Sequence, residues 1–309
     1  MIIDRLIDRI QELQAPIVVG LDPRLDQIPA FLLDKAVAQH GNTPQSAATA
    51  FYAFNVGIID NICDVVPAVK PQIAMYEQLG TAGIQCYIDT IRYAREKGLI
   101  VIGDIKRGDI ASTAEAYADG HIGRVDVQGE QHEIYGTDFV TLNPYMGYDA
   151  ISPYLAACHN YQRGMFVLVK TSNPHSGQLQ DLITQEGRPV YAHTGDLVSQ
   201  WGKDFVGRHG YSSIGAVVGA TYPEQGEQLR KAMPHTFFLV PGYGAQGATA
   251  KDLRGMFDTS GLGAIVNSSR GITGAFAMEK YSKTYSDKEF GPAARAAVLD
   301  MKTDLGMFL

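Results

Sequence analysis

The segment Gly103-Asp104-Ile105-Lys106-Arg107-Gly108-Asp109-Ile110 holds the chain's densest concentration of groups able to do chemistry. In an extended strand, side chains two apart share a face, so Asp104 and Lys106 project the same way. An ammonium beside carboxylates stays protonated, because nearby opposite charge favours the charged form. A Schiff-base lysine must instead be neutral to attack and is activated by desolvation or a second cation. Lys106 is thus suited to be an acid. The same Asp-x-Lys spacing also makes an ordinary strand-end salt bridge, so the pair alone leaves both readings open. Lys70, after the apolar run Val65 to Val69, adds a second cation that must be paired or solvated. Alternation of Lys70, Asp104, Lys106 and Asp109 would satisfy all four charges.

Residues 242 to 247 spell G-x-G-x-x-G between an apolar run and a helix-like stretch. A dinucleotide fingerprint belongs to the first βαβ unit of its domain, whereas this copy stands near the chain's end and lacks a carboxylate after the next strand. Glycines such as Gly244 here suit backbone N–H groups approaching a phosphate, with Arg270 as its bidentate guanidinium. The alternative is turn glycines and a surface arginine. Gln246 could reach the phosphate or the rest of a ligand. Lys170, at the end of another apolar run, reads as structural. The eight histidines show no H-x-x-x-H spacing, and Cys63, Cys86 and Cys158 form no Cys-x-x-Cys pair. No metal site is expected, and the thiols should be reduced and mostly buried. The serine-rich turns lack a G-x-S-x-G elbow, which disfavours triad hydrolysis.

These groups need a scaffold. Eight short β-rich runs recur: Ile17 to Leu21, Val65 to Lys70, Leu99 to Ile105, Asp138 to Leu142, Met165 to Val169, Ile214 to Gly219, Phe237 to Val240 and Ala264 to Val266. They are continuously apolar, as parallel strands covered on both faces must be. Helix-like stretches alternate with them, including Ser46 to Cys63, Thr81 to Lys97, Asp149 to Cys158, Pro223 to Ala232 and Ala250 to Phe257. The order predicts an α/β fold, a (β/α)₈ TIM barrel filling residues 1–309 as a single domain, with polar strand ends gathered at one mouth. An open doubly wound sheet is the structural alternative. Longer gaps, Pro23 to Thr43 after strand one and Ser172 to Val206 after strand five, predict extra helices or a loop over the mouth. The loop from Ser172 to about Asp181, with Gly177 as pivot, is the candidate lid. Tyr281 to Leu309 reads as a closing helix.

With 309 residues, 45% hydrophobic and 19% charged, the chain can bury a large core. A net charge of −7 without basic runs argues against nucleic acid and anionic membranes as partners. No apolar run approaches the ~20 residues of a membrane span. The first residues suit an amphipathic helix rather than a secretory signal, so a cytoplasmic location is expected.

On Gly20-Leu21-Asp22-Pro23, Val69-Lys70-Pro71, Asp104-Ile105-Lys106-Arg107-Gly108-Asp109-Ile110 with Thr113, Thr171-Ser172-Asn173-Pro174, Pro241-Gly242-Tyr243-Gly244-Ala245-Gln246 and Asn267-Ser268-Ser269-Arg270, the sequence resembles the orotidine 5′-phosphate decarboxylase family, in its longer bacterial-type form. Shorter members carry a different pair where Arg107-Gly108 stand and lack the long segment between strands five and six. The resemblance implies cofactor-free loss of CO₂ from carbon 6 of the orotate ring, with Lys106 as proton donor. Asp104 would sit near the departing carboxylate, while Lys70 and Asp109 position and balance the pair. It also implies a homodimer in which Asp109 and Thr113 enter the neighbouring site. Asp22 and Lys70 would contact ribose hydroxyls, Ser172 and Gln246 the pyrimidine, and Arg270 the phosphate. The competing readings are a Mg²⁺-dependent sugar-phosphate decarboxylase or aldolase, and a non-catalytic phosphate-ligand sensor. The former wants a carboxylate where Lys70 stands, and the latter has no use for a costly charge cluster.

Overall fold

The protein is described here by a computed structural model covering residues 1–244 and 247–308. Each apolar run becomes a strand because valine, isoleucine and phenylalanine pack well on a pleated surface buried on both sides. In chain order the strands are β1 (Ile17–Leu21), β2 (Ala68–Pro71), β3 (Ile100–Arg107), β4 (Val125–Val127), β5 (Glu130–His132), β6 (Phe139–Leu142), β7 (Gly164–Lys170), β8 (Ser212–Val218), β9 (Thr236–Val240) and β10 (Ala264–Ser268). Eight of them close a barrel in the order β1-β10-β9-β8-β7-β6-β3-β2, every pairing parallel. The expected (β/α)₈ barrel is therefore the fold.

The gap after β1 contains the helix Ala30–His40, and the gap after β7 contains a short helix, Gly177–Gln180, and a longer one, Val190–Gly202. Both extensions were expected. An addition the periodicity did not predict is the antiparallel hairpin β4–β5, turned by Gln128 and Gly129 at φ 54° and 91°. Positive φ at two successive central residues is what a tight hairpin demands. The closing segment is also shorter than expected: its long helix spans Phe290–Gly306, preceded by short turns.

Alternation along the barrel strands separates two apolar layers. Residues facing the surrounding helices join the larger core. Residues facing inward, among them Val18, Ala68, Ile100, Ile102, Phe139, Phe166, Val217, Phe237 and Ile265, join a second cluster with Ile2, Ile3, Leu6, Ile7 and Ile10. Those last five form one face of the N-terminal helix Ile2–Leu13, which plugs the bottom of the barrel. Each such side chain contributes about 1.5–3 kcal/mol of burial, so the floor of the barrel is rigid and its polar strand ends are held from below. Cys63, Cys86 and Cys158 are free thiols, and burial pushes Cys86 up to about 12, which leaves it unreactive at neutral pH.

Candidate active site

The inward face of each strand is apolar low in the barrel and polar at its carboxyl end. Stepping two residues up from the inner core leads from Ala68 to Lys70, from Ile102 to Asp104, from Phe139 to Thr141 and from Ile265 to Asn267. The strand period thus carries each polar group to one mouth without any special loop.

Asp104 is the hub. Its Oδ2 accepts from Lys70 Nζ at 2.7 Å, and its Oδ1 accepts from Lys106 Nζ at 2.5 Å and from Thr141 Oγ1 at 2.8 Å. Lys70 and Asp104 are buried, whereas the Lys106 side chain is 46% exposed toward the mouth. Burial alone would raise the Asp104 carboxyl, but Lys70 and Lys106 hold it well below the usual carboxylate range. Burial likewise works against the Lys70 ammonium, yet Asp104 and Asp22 more than compensate and push its pKa up. The carboxylate is consequently ionised and the ammonium protonated across the working pH range. Lys106 has a left-handed backbone, φ 45°, where the β3 register against β6 shifts; its N–H donates to Thr141 Oγ1 at 3.0 Å. Thr141 therefore fixes both the acid's backbone and the hub carboxylate. Sequence reading missed it, because a threonine inside a β-rich run reads as a strand former; its place two residues above inward Phe139 was the available signal.

The expected alternation of four ions is met in three members. Asp109 stands beyond the end of β3, where its Oδ1 accepts from the Ile110 N–H at 2.9 Å, and it makes no ion pair among the described residues. Thr113 is exposed on the helix Ala111–His121. Arg107 turns aside to Glu77 and the face of Tyr117.

Across the mouth, a cavity of about 290 Å³ is lined by Asp22, Gln27, Tyr243, Asn267, Ser269 and Arg270, among others. Arg270 is exposed and has no ion-pair partner among the described residues. Among the described residues, Asp22 Oδ1 and Asn267 Oδ1 are buried acceptors without a donor. Such acceptors cost stability unless something donates to them, so this part of the cavity suits a hydroxyl-bearing ligand, and the Arg270 guanidinium suits an anionic group. Gly20 is required at its edge, since a Cβ there would stand 1.9 Å from Ser269 Oγ. Gly244 takes φ 70° in the turn after β9, a conformation that favours glycine. Gln246 lies outside the described residues. Ser172 follows β7, half-buried, its carbonyl accepting from Thr221 Oγ1 at 3.1 Å. Lys170 does not join the mouth; it is fully buried against Asp181.

Residues 16–285 match the family model described as Orotidine 5′-phosphate decarboxylase / HUMPS family. The chain belongs to that family. It is 45% identical over 287 residues to the orotidine 5′-phosphate decarboxylase of Rhodopirellula baltica, covering 93% of each chain, and 42% identical over 308 residues to that of Petrotoga mobilis, covering 99% of this chain and 98% of the relative. Among solved structures, Leishmania donovani OMP decarboxylase superposes with a TM-score of 0.70 at 26% identity, covering 98% of this chain and 99% of that one. Of the residues quoted for the resemblance, Lys70, Asp104 and Lys106 converge on one side of the mouth and Asp22 and Arg270 line the other, whereas Asp109 and Thr113 stand apart. Among the described residues no helix is long and apolar enough to cross a membrane, and no group of three or more His, Cys, Asp or Glu side chains could hold a metal ion.

Proposed function

We propose that the protein decarboxylates orotidine 5′-phosphate to uridine 5′-phosphate, the last step of de novo pyrimidine synthesis, without metal or cofactor. The observation that carries this reading is the Asp104 carboxylate held between two ammonium groups, at 2.7 and 2.5 Å, with the Arg270 guanidinium lining a cavity across the mouth.

Loss of CO₂ from C6 leaves an electron pair in the plane of the ring, orthogonal to the π system, so delocalisation cannot spread it. A fixed ammonium can meet that charge as it develops, at no cost in reorganisation. Lys106 is the group with the reach, because it is the exposed member of the cluster, and it delivers its proton to C6 as the bond to CO₂ breaks. Asp104 faces the departing carboxylate, and Lys70 holds Asp104 in place. Asp22 and Lys70 take the ribose hydroxyls, Ser172 and Gln246 the pyrimidine, and Arg270 with the Gly244 turn the phosphate. Among the described residues the buried Asp22 Oδ1 has no donor, which supports the ribose assignment, and Arg270 has no ion-pair partner, which supports the phosphate assignment. Asp109 and Thr113 belong to the neighbouring site of a homodimer. Both lie just beyond the end of β3, close in sequence to the exposed apolar Ile110, and Asp109 has no cation of its own among the described residues. A nucleotide substrate that cannot cross a bilayer unaided, and three free thiols, support a cytoplasmic site of action.

A Mg²⁺-dependent reaction on a sugar phosphate would need carboxylate oxygens open to a cation. Both oxygens of Asp104 already face ammonium groups, and Lys70 would repel the metal. The test is incubation of the purified protein, with chelator, on orotidine 5′-phosphate while the orotate absorbance is followed, alongside sedimentation to read the oligomer. Turnover in chelator by a dimer is expected; absent or metal-dependent turnover would overturn the reading.

A further inference from the structure

Lys170 ends β7, and its side chain is 0% exposed, although nothing in the chemistry above employs it. The register of β7 against β8 slips between Leu168 and Lys170: Leu168 pairs with Val217 of the inner layer, but Lys170 pairs with Val218 of the outer one. That single slip turns the ammonium out of the mouth and toward the helices. There it lies 4.5 Å from the ring centre of Tyr222 and 5.5 Å from that of Tyr191, and 2.7 Å from Asp181 Oδ1. Two aromatic faces stabilise a cation but do not neutralise it, and a buried ammonium needs a counter-charge. Asp181, eleven residues on, is its one carboxylate partner among the described residues.

The same neck is fastened twice more. Thr171 N–H donates to Gln180 Oε1 at 3.0 Å, and Gln180 Nε2 donates to Thr171 Oγ1 at 2.8 Å. Residues 171–181 therefore form a ring closed at its base, with Ser172 one residue inside the clasp. The Ser172 backbone is pressed on Gly219, where a Cβ would come within 2.7–2.9 Å of its N, Cα and Cβ. Opening the neck would strand the Lys170 charge, whereas Asp181, 40% exposed, would simply be hydrated. The asymmetry makes closure the state in which Lys170 is satisfied.

We infer that Lys170 is a positioning residue: its ion pair with Asp181 latches the 171–181 loop and thereby holds Ser172 where the substrate's pyrimidine must be met. This rests on the assignment of Ser172 to the pyrimidine given under the proposed function.

The test compares wild type, Lys170→Met, Asp181→Asn, Ser172→Ala and the double variants Lys170→Met/Ser172→Ala and Asp181→Asn/Ser172→Ala, as full-length protein. Two measurements are made: kcat and KM on orotidine 5′-phosphate, and chymotrypsin cleavage at exposed Leu179 and Leu182. A latch predicts that Ser172→Ala costs at least about twofold less in kcat/KM once the latch is broken, the smallest coupling expected of linked groups. It also predicts loop cleavage about tenfold faster at unchanged Tm, the effect of a modest rise in local opening, and recovery of both in Lys170→Arg. Independent effects of Ser172 and Lys170 in an active enzyme would overturn the latch, as would unchanged cleavage in Lys170→Met or, should that variant not fold, in Asp181→Asn. An inactive wild type would instead strike the proposed reaction, and the cleavage rates would still decide the latch.

Discussion

The two sides of the barrel mouth are built on opposite principles. On the β2–β3–β6 side the three charged groups carried by the strands are answered within the chain: Lys70 and Lys106 share Asp104, and Thr141 completes it. On the β1–β9–β10 side Arg270 has no counter-ion among the described residues, and Asp22 and Asn267 each keep a buried oxygen without a donor. The first arrangement is preorganised, so its field is already in place when charge develops on a bound ring. The second is completed only by a ligand, so its interactions become available as binding energy that can hold the transition state. Under the proposed reaction, a site that must stabilise one unspread electron pair gains from having its acid fixed and its phosphate grip unfilled.

The contrast can be broken from either side. Lys106→Ala should lower kcat at least ~10²-fold, the lower end for a positioned acid, with little change in Tm, because Asp104 keeps Lys70 and Thr141 and the lost side chain was half exposed. Near-normal turnover in a direct kinetic assay would show that the answered side is only a salt bridge. Arg270→Ala should act differently, weakening phosphate-bearing ligands by about 1.5–3 kcal/mol, as for a charged hydrogen bond, while leaving the phosphate-free nucleoside unaffected. Equal losses for nucleotide and nucleoside, measured as inhibition constants, would remove the guanidinium from the phosphate.

The barrel was legible because buried parallel strands leave continuous apolar runs, and the polar residues ending them announce the mouth. Asp104 and Lys106 were legible for the same reason, since the two-residue period puts them on one side. Three features were not. The hairpin β4–β5 turns on Gln128-Gly129, a pair without the asparagine or aspartate that usually signals such a turn. Thr141 is invisible as a functional group because its type fits any strand. Lys170, read as structural, is buried away from the mouth, but the one-residue slip between neighbouring strands that turns it outward where Lys70 faces in leaves no trace in the composition. Asp109 was readable as part of a motif but not as a group standing apart from Lys70 and Asp104 within its own chain.

Acid sharpens the comparison further. The depressed Asp104 carboxyl contributes stability in full above its ordinary 3.8, lost only as pH falls through its lower folded value. The raised Lys70 contributes below its ordinary 10.5 and loses that only as pH rises through its higher folded value. Between these limits the Lys70–Asp104 pair is insensitive to pH. His121 is different: buried and stacked on Tyr135 at 4.5 Å, it is held down from 6.5 to about 3, first by burial and then by Arg107. Between those values the unfolded chain binds the proton that the folded chain refuses, so stability falls as pH drops, by up to about 1.4 kcal/mol per pH unit. His121→Phe keeps the stacking and removes the titration, and the ring makes no side-chain hydrogen bond among the described residues, its Nδ1 being buried without a partner. Urea unfolding at pH 7, 6, 5 and 4.5 should therefore give a flatter profile for His121→Phe, while Lys106→Ala keeps the wild-type slope. If instead the slope vanishes with Lys106 and survives loss of His121, the ion cluster itself titrates in this window and is not the fixed field that proton delivery to C6 requires.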